Sequence, residues 1–168
     1  MKWRWSFLLL ITLLIPFPVG ATSEFYGKVI AIIDGDTIEV LHNRRPERIR
    51  LTGIDCPEKK QAFGNRAKQA TSNLSFGQNV TIQPTGKDRY GRTLATVMLR
   101  DGKNLNRELV KEGWCWWYRK YAPDYAVLQT LEAEAHLAKK GLWVDANPVP
   151  PWIWRKKGQQ VKYGPPMR

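Results

Sequence analysis

Histidine is scarce in this 168-residue chain, where only His42 and His136 occur. One falls in a hairpin segment and the other on a helix. Neither has a partner nearby, so both read as solvated surface groups. This argues against chemistry built on paired imidazoles or on a histidine-held metal. Cysteine is equally rare. Cys56 and Cys115 lie too far apart for a zinc motif. They fit either one disulfide, which would suit an oxidising compartment, or two independent buried thiols. Acidic residues are in deficit, with 15 Asp and Glu against 27 Lys and Arg and a formal net charge of +12. Such an excess concentrates polyanions and suits nucleic acid or an anionic membrane surface, although it also suits a merely soluble basic protein. No internal repeat is visible. The apolar run Phe7–Ile15, broken by Thr12, is shorter than the roughly 20 residues of a membrane span.

That short run reads as an address label. Lys2 and Arg4 precede it, and Val19-Gly20-Ala21 offers the small residues that signal peptidase accepts. Residues 1–21 are thus expected to be a signal peptide, the alternative being an uncleaved anchor. The expected route is the Sec pathway, to the periplasm or the medium, with no membrane association after cleavage. Residues 22–146 form one compact domain. Residues 147–168, with Pro148, Pro150, Pro151, Pro165 and Pro166 among basic side chains, form a tail expected to be extended or poorly ordered.

Within the domain, β-branched residues from Phe25 to Val40 predict two strands parted by the turn Asp34-Gly35-Asp36. His42–Glu47 reads as a polar hairpin connection, after which Arg48–Leu51 resumes a strand. A short helix follows, with Ala67, Ala70, Thr71 and Leu74 on one face and Gly77 as its stop. Val80–Gln83 and Leu94–Leu99 predict strands around a polar loop from Pro84 to Thr93. Asn104 caps a helix ended by Gly113. Asp124 opens the last helix, which runs to Gly141. Five short strands with helices inserted late predict an α+β fold dominated by a small five-stranded Greek-key barrel of the OB type, with about three packed helices.

Three segments place charge where a sheet would not want it. In Asp34-Gly35-Asp36-Thr37, two carboxylates at the mouth of a strand can offer oxygen ligands to a hard cation, or simply form a turn. From Arg50 to Glu58 a strand arginine is followed by Asp55 and Glu58 across a bend stiffened by Pro57. Asp55 could join Asp36 on a metal, with Glu58 left free as a base. In Asp88-Arg89-Tyr90-Gly91-Arg92 the arginines can reach phosphate oxygens and the tyrosine can stack on a base. Taken singly, each also reads as a surface turn or loop. Together they supply what phosphodiester hydrolysis needs: a base, charge neutralisation and a metal Lewis acid.

In order and spacing these segments resemble the motifs of the staphylococcal nuclease-like (thermonuclease, micrococcal nuclease) family. Leu109–Gly113 with its aromatic cluster and Ala138–Trp143 are also similar, so the likeness spans Tyr26 to Trp143. The resemblance implies a calcium-dependent nuclease acting on DNA and RNA as a monomer without a stable protein partner. It implies Asp36, Asp55 and the backbone carbonyl of Cys56 as Ca2+ ligands, Glu58 as general base, and Arg50 and Arg92 as phosphate clamps. Arg89, Tyr90, Tyr118 and Tyr121 would contact substrate, and cleavage would leave 3′-phosphate ends. In the related fold the segments of Cys56 and Cys115 run close together, so a bridge between them is expected. The sequence departs from the family where Cys56 replaces a common threonine and Arg119 stands in a usual tyrosine position. The loop after Glu58 is also shorter. Trp114 and Trp116 read mostly as packing. The rival readings are a catalytically weak nucleic-acid-binding module of the same fold and a cationic membrane-surface protein. The first must account for a full set of acidic and arginine residues. The second leaves the acidic pairs unexplained.

Overall fold

Strand β1 (Phe25–Asp34) and strand β2 (Thr37–His42) pair antiparallel, and the side chains of Val29, Ile38 and Val40 that point inward are fully buried. The computed structural model describes residues 23–163, so the expected signal peptide lies outside the described residues. Two register shifts in the β1–β2 ladder mark bulges that bend β1 around the core. Asn43 and Arg44 both take positive φ, of 48° and 61°, which makes a tight two-residue hairpin turn. Strand β3 therefore begins at Arg45 and runs to Leu51, three residues earlier than the sequence suggested. Pro46 is accommodated because β3 pairs with the next barrel strand only over Ile49–Leu51, so the missing N–H faces no partner there.

A short strand β4 (Ile54–Asp55) follows, then helix α1 (Gly64–Ser75), whose Ala67 and Thr71 are fully buried. Strands β5 (Asn79–Lys87) and β6 (Thr93–Met98) extend further toward each other than expected, which leaves only residues 88–92 as loop. The strands close into a barrel in the order β1-β2-β3-β6-β5, with β3 and β6 parallel. This is the five-stranded OB-type α+β architecture.

Helix α2 (Leu105–Lys111) starts at Asn104, whose side chain accepts from the Arg107 N–H. Asn106 pins α2 to the barrel mouth, since its amide donates to the carbonyls of Thr52 and Ala95 and accepts from Val97 N–H. Strand β7 (Trp116–Trp117) pairs with β4 and sets Asp55 opposite Trp116. Cys56 and Cys115 are joined in a disulfide with Cα atoms 4.1 Å apart. Helix α3 (Ala126–Leu137) begins two residues after Asp124, and no side chain caps it. A 3-10 turn (Gly141–Val144) follows.

The tail differs most from expectation, because Pro151–Tyr163 forms a helix, α4. Proline is well suited to a first helical turn, where its missing N–H has no intrahelical partner anyway. The buried Pro151 and the half-buried Trp152 and Ile153 give the segment an apolar side to fold on. Composition alone hid both features. Among the described residues no helix is long and apolar enough to cross a membrane.

Candidate active site

The carboxylates sit where the barrel mouth meets the β4–β7 pair. Asp36 follows the β1–β2 turn and is almost fully buried. Its Oδ2 accepts the Cys56 N–H at 2.9 Å, and its Oδ1 accepts from the Thr37 hydroxyl. Asp55, on β4, is 1% exposed. Arg50, at the inner end of β3, reaches across the bend that Gly53 makes possible with φ of 77°. Its Nη1 donates to the carbonyls of Leu51 and Ile54, and its Nη2 lies 3.1 Å from both Asp36 Oδ2 and Asp55 Oδ1. The guanidinium is thereby buttressed by backbone on one side and faces the acidic pair on the other.

Glu58 lies just past the bend, half-exposed, with its N–H donating to Gln61 Oε1. Gly64 sets its position. A Cβ there would fall 1.9 Å from the Glu58 carbonyl oxygen, so α1 can start this close to the bend only with glycine. The Cys56–Cys115 bridge fixes the same bend from the other side.

Burial pushes the Asp55 carboxyl up; the Asp36 charge adds to this, while Arg155 and Arg50 pull it back. Asp34 is also raised, first by burial and then by Asp36 and Glu58, although Lys68 and Arg50 oppose. Such crowding of buried carboxylates is relieved by a cation. Among the described residues no three His, Cys, Asp or Glu side chains converge into a metal cage. An ion here would take two carboxylates and a backbone carbonyl, leaving other positions to water or substrate. That open, all-oxygen set fits a hard ion such as Ca2+ and lacks the nitrogen and sulfur donors favoured by zinc.

Arg89 and Arg92 belong to the 88–92 loop and, among the described residues, make no ion pair with the acidic cluster. Asp88 ties the 88–92 loop together by accepting from the N–H groups of Tyr90 and Arg92 and from Arg92 Nε at 2.7 Å. Arg89 lies over the Tyr90 ring with its guanidinium carbon 4.8 Å from the centroid. Tyr90, Gly91 and Arg92 line a groove with Glu39, Pro46 and Arg48. Among the described residues, the ion pair of Arg92 goes to Asp88 rather than to the acidic cluster. Burial acts to raise the Asp88 pKa, but its hydrogen bonds outweigh this and hold it below the usual value. A depressed carboxyl stabilises the fold above its unfolded pKa of about 4 and loses that contribution as pH falls toward its folded value. Asp88→Asn is therefore expected to destabilise the protein at neutral pH and to converge on the parent as pH drops below about 4. Urea melts across pH check this, and a gap that persists into strong acid would contradict it.

Tyr118 and Tyr121 meet edge to face, with centroids 4.8 Å apart, and Tyr121 is well exposed. Trp116 is buried and Trp114 is partly buried against the core. Arg119 turns away to Glu132 and lies over the Trp117 ring. Asp34, read with Asp36 as a possible oxygen ligand, feels the Asp36 and Glu58 charges. One residue at the cluster escaped sequence reasoning. Arg155, on α4, donates to both Asp55 oxygens and to Glu58 Oε1. The signal for it was the proline-initiated helix, which sets Trp152 and Arg155 one turn apart.

The family model for staphylococcal nuclease homologues matches residues 48–145. An "Uncharacterized endonuclease" of Escherichia coli O157:H7 is 44% identical over 148 residues, covering 88% of this chain and 95% of the relative. A "Micrococcal nuclease" of Shigella flexneri is 43% identical over 152 residues, covering 85% and 87%. An "Uncharacterized endonuclease" of Haemophilus influenzae is 42% identical over 154 residues, covering 89% and 85%.

Proposed function

Because this chain belongs to the staphylococcal nuclease family, we propose that it is an exported, calcium-dependent nuclease that hydrolyses the phosphodiester backbone of DNA and RNA. The observation that carries this reading is the single network joining Asp36, Arg50 and Asp55, with Glu58 at its rim. Asp36, Asp55 and the Cys56 carbonyl would hold calcium, which when bound supplies Lewis acidity toward a phosphate oxygen. Glu58 takes the proton of the attacking water. The new P–O bond forms as the bond to the 5′ oxygen breaks and that oxygen takes a proton from solvent, leaving a 3′-phosphate and a 5′-hydroxyl. Arg50, held by two backbone carbonyls through Nη1, must share its Nη2 group between the acidic pair and the growing negative charge. Arg92 must exchange Asp88 for phosphate to share that load. Arg89, Tyr90, Tyr118 and Tyr121 offer charge and flat rings to an unstacked strand.

The test is direct. The protein without its leader should cut single-stranded DNA with calcium and stop in excess chelator. Cleavage that persists in chelator removes the metal from the reading, and binding without cleavage would favour a non-catalytic binding module. Polynucleotide kinase should label the products without prior dephosphorylation, as 5′-hydroxyl ends require. Single strands and A·T-rich duplex should be cut faster than G·C-rich duplex, and binding should weaken steeply with salt through counterion release. Export is supported by the leader pattern and by the disulfide, which suits an oxidising compartment. Recovery of active enzyme from the cytoplasm with both thiols free would overturn it.

A further inference from the structure

Helix α4 meets the acidic cluster through one face. Trp152 and Arg155 are three residues apart and so project from the same side of the helix. The Trp152 ring lies parallel to Tyr118, at an interplanar angle of 5° and a centroid distance of 5.4 Å, and meets Trp116 edge-on. Arg155 places Nη2 2.7 Å from Asp55 Oδ2, and Nη1 2.7 Å from Glu58 Oε1 and 3.2 Å from Asp55 Oδ1. Just before the helix, the Val149 carbonyl accepts from Gln61, the same side chain that receives the Glu58 N–H. Trp154, Lys156 and Lys157 on the remaining faces are exposed.

We propose that α4 is an intramolecular inhibitor that competes with the metal and with the nucleotide base for the same site. The inference rests on the calcium-site reading above. Each contact of the docked face stands in for a ligand. A guanidinium takes both Asp55 oxygens and the base Glu58, and an indole covers the Tyr118 face on which a nucleobase would stack. A cation cannot share both Asp55 oxygens with Arg155, so loading the site requires the arginine to leave. The hold is moderate, because the Arg155 and Glu58 side chains are each 39% exposed and water competes for the pair. The helix is thus displaced by ligand rather than locked in place. Apparent metal affinity is scaled down in proportion to the fraction of time the helix is undocked. If it is docked about nine-tenths of the time, that is roughly a tenfold penalty.

The sign of one measurement decides the question. Calorimetric titration with calcium alone, on the chain without its leader, compares the parent with Arg155→Ala, Arg155→Lys and Trp152→Ala. Arg155→Ala should bind calcium about tenfold more tightly, with Arg155→Lys intermediate. Trp152→Ala should also tighten binding, by loosening the same helix. Hydrogen exchange read by mass spectrometry should speed up over residues 151–158 of the parent when calcium is added. Unchanged or weaker calcium affinity in Arg155→Ala would overturn the inhibitor while leaving the metal site standing. A fall in kcat with unchanged affinity would make Arg155 a phosphate ligand instead, which also overturns it. Failure of every form to bind calcium would remove the site itself, and the inhibitor with it.

Discussion

Glu58→Gln is expected to lower kcat on single-stranded DNA by roughly 10²–10⁴-fold, the usual worth of a positioned general base. Affinity for a short oligonucleotide should change far less. Glutamine keeps the shape of the side chain, and the Glu58 N–H still reaches Gln61. Gly64 still allows α1 to approach the bend. What is lost is the capacity to take a proton. Arg50→Lys and Arg92→Lys should each lose at least about 10²-fold, because an ammonium cannot present a two-pronged donor to phosphate. The two differ in their side effects. Arg50 also ties the carbonyls of Leu51 and Ile54, so its replacement should lower the melting temperature. Arg92 bonds through its side chain within its own loop, so its replacement should lower the melt less than that of Arg50. Near-normal turnover in Glu58→Gln would falsify the assignment of the base.

Reduction of the Cys56–Cys115 bridge should produce the largest loss of stability. The bridge spans a sequence separation of 59, for which the chain-entropy account gives about 4 kcal/mol. For a domain of this size that corresponds to a fall in Tm of roughly 8–16 °C. The double variant Cys56→Ala, Cys115→Ala should lose somewhat more than the reduced parent. Both sulfurs lie in the main core cluster, so the small cavities left by alanine add to the loss. Calcium affinity should fall as well, because Cys56 is the residue whose N–H holds Asp36. Equal denaturation midpoints for oxidised and reduced protein would show that the fold carries this bend without the bridge.

Much of the fold was legible where local chemistry and global packing agree. Asp34-Gly35-Asp36 reads as a turn and is one, and it leads into a strand whose Ile38 and Val40 are fully buried. Asn104 reads as a cap and accepts the expected backbone hydrogen bond. The misreadings have local causes. His42–Glu47 read as a polar connection, yet Arg45–Glu47 belong to the half of β3 that β6 does not reach. Pro151 counted as one more proline in an unstructured tail, although it begins a helix. At the site, Asp36, Arg50, Asp55 and Glu58 fall within a short stretch of chain, and the structure brings them together. The contact of Arg155 with Asp55 spans 100 residues, and no periodicity in a single sequence encodes a pairing of that kind.

The brief parallel contact between β3 and β6 bears on self-association. Each barrel strand has two neighbours, so the ring offers little open backbone for another copy to extend. The weak place is β3 from Arg45 to Arg48, which lies beyond its pairing with β6. A flat apolar strand there would invite edge-to-edge addition and, at high concentration, fibrils. The residues in that position are Arg45, Pro46, Glu47 and Arg48. Three carry charge, one lacks a donor, and Glu47 is tied down by the Thr93 hydroxyl. Like charges would meet if two copies aligned these edges, and the proline would break the ladder. The gap in the ring is therefore guarded in part by Pro46 and Arg48, which also line the groove beside Arg92.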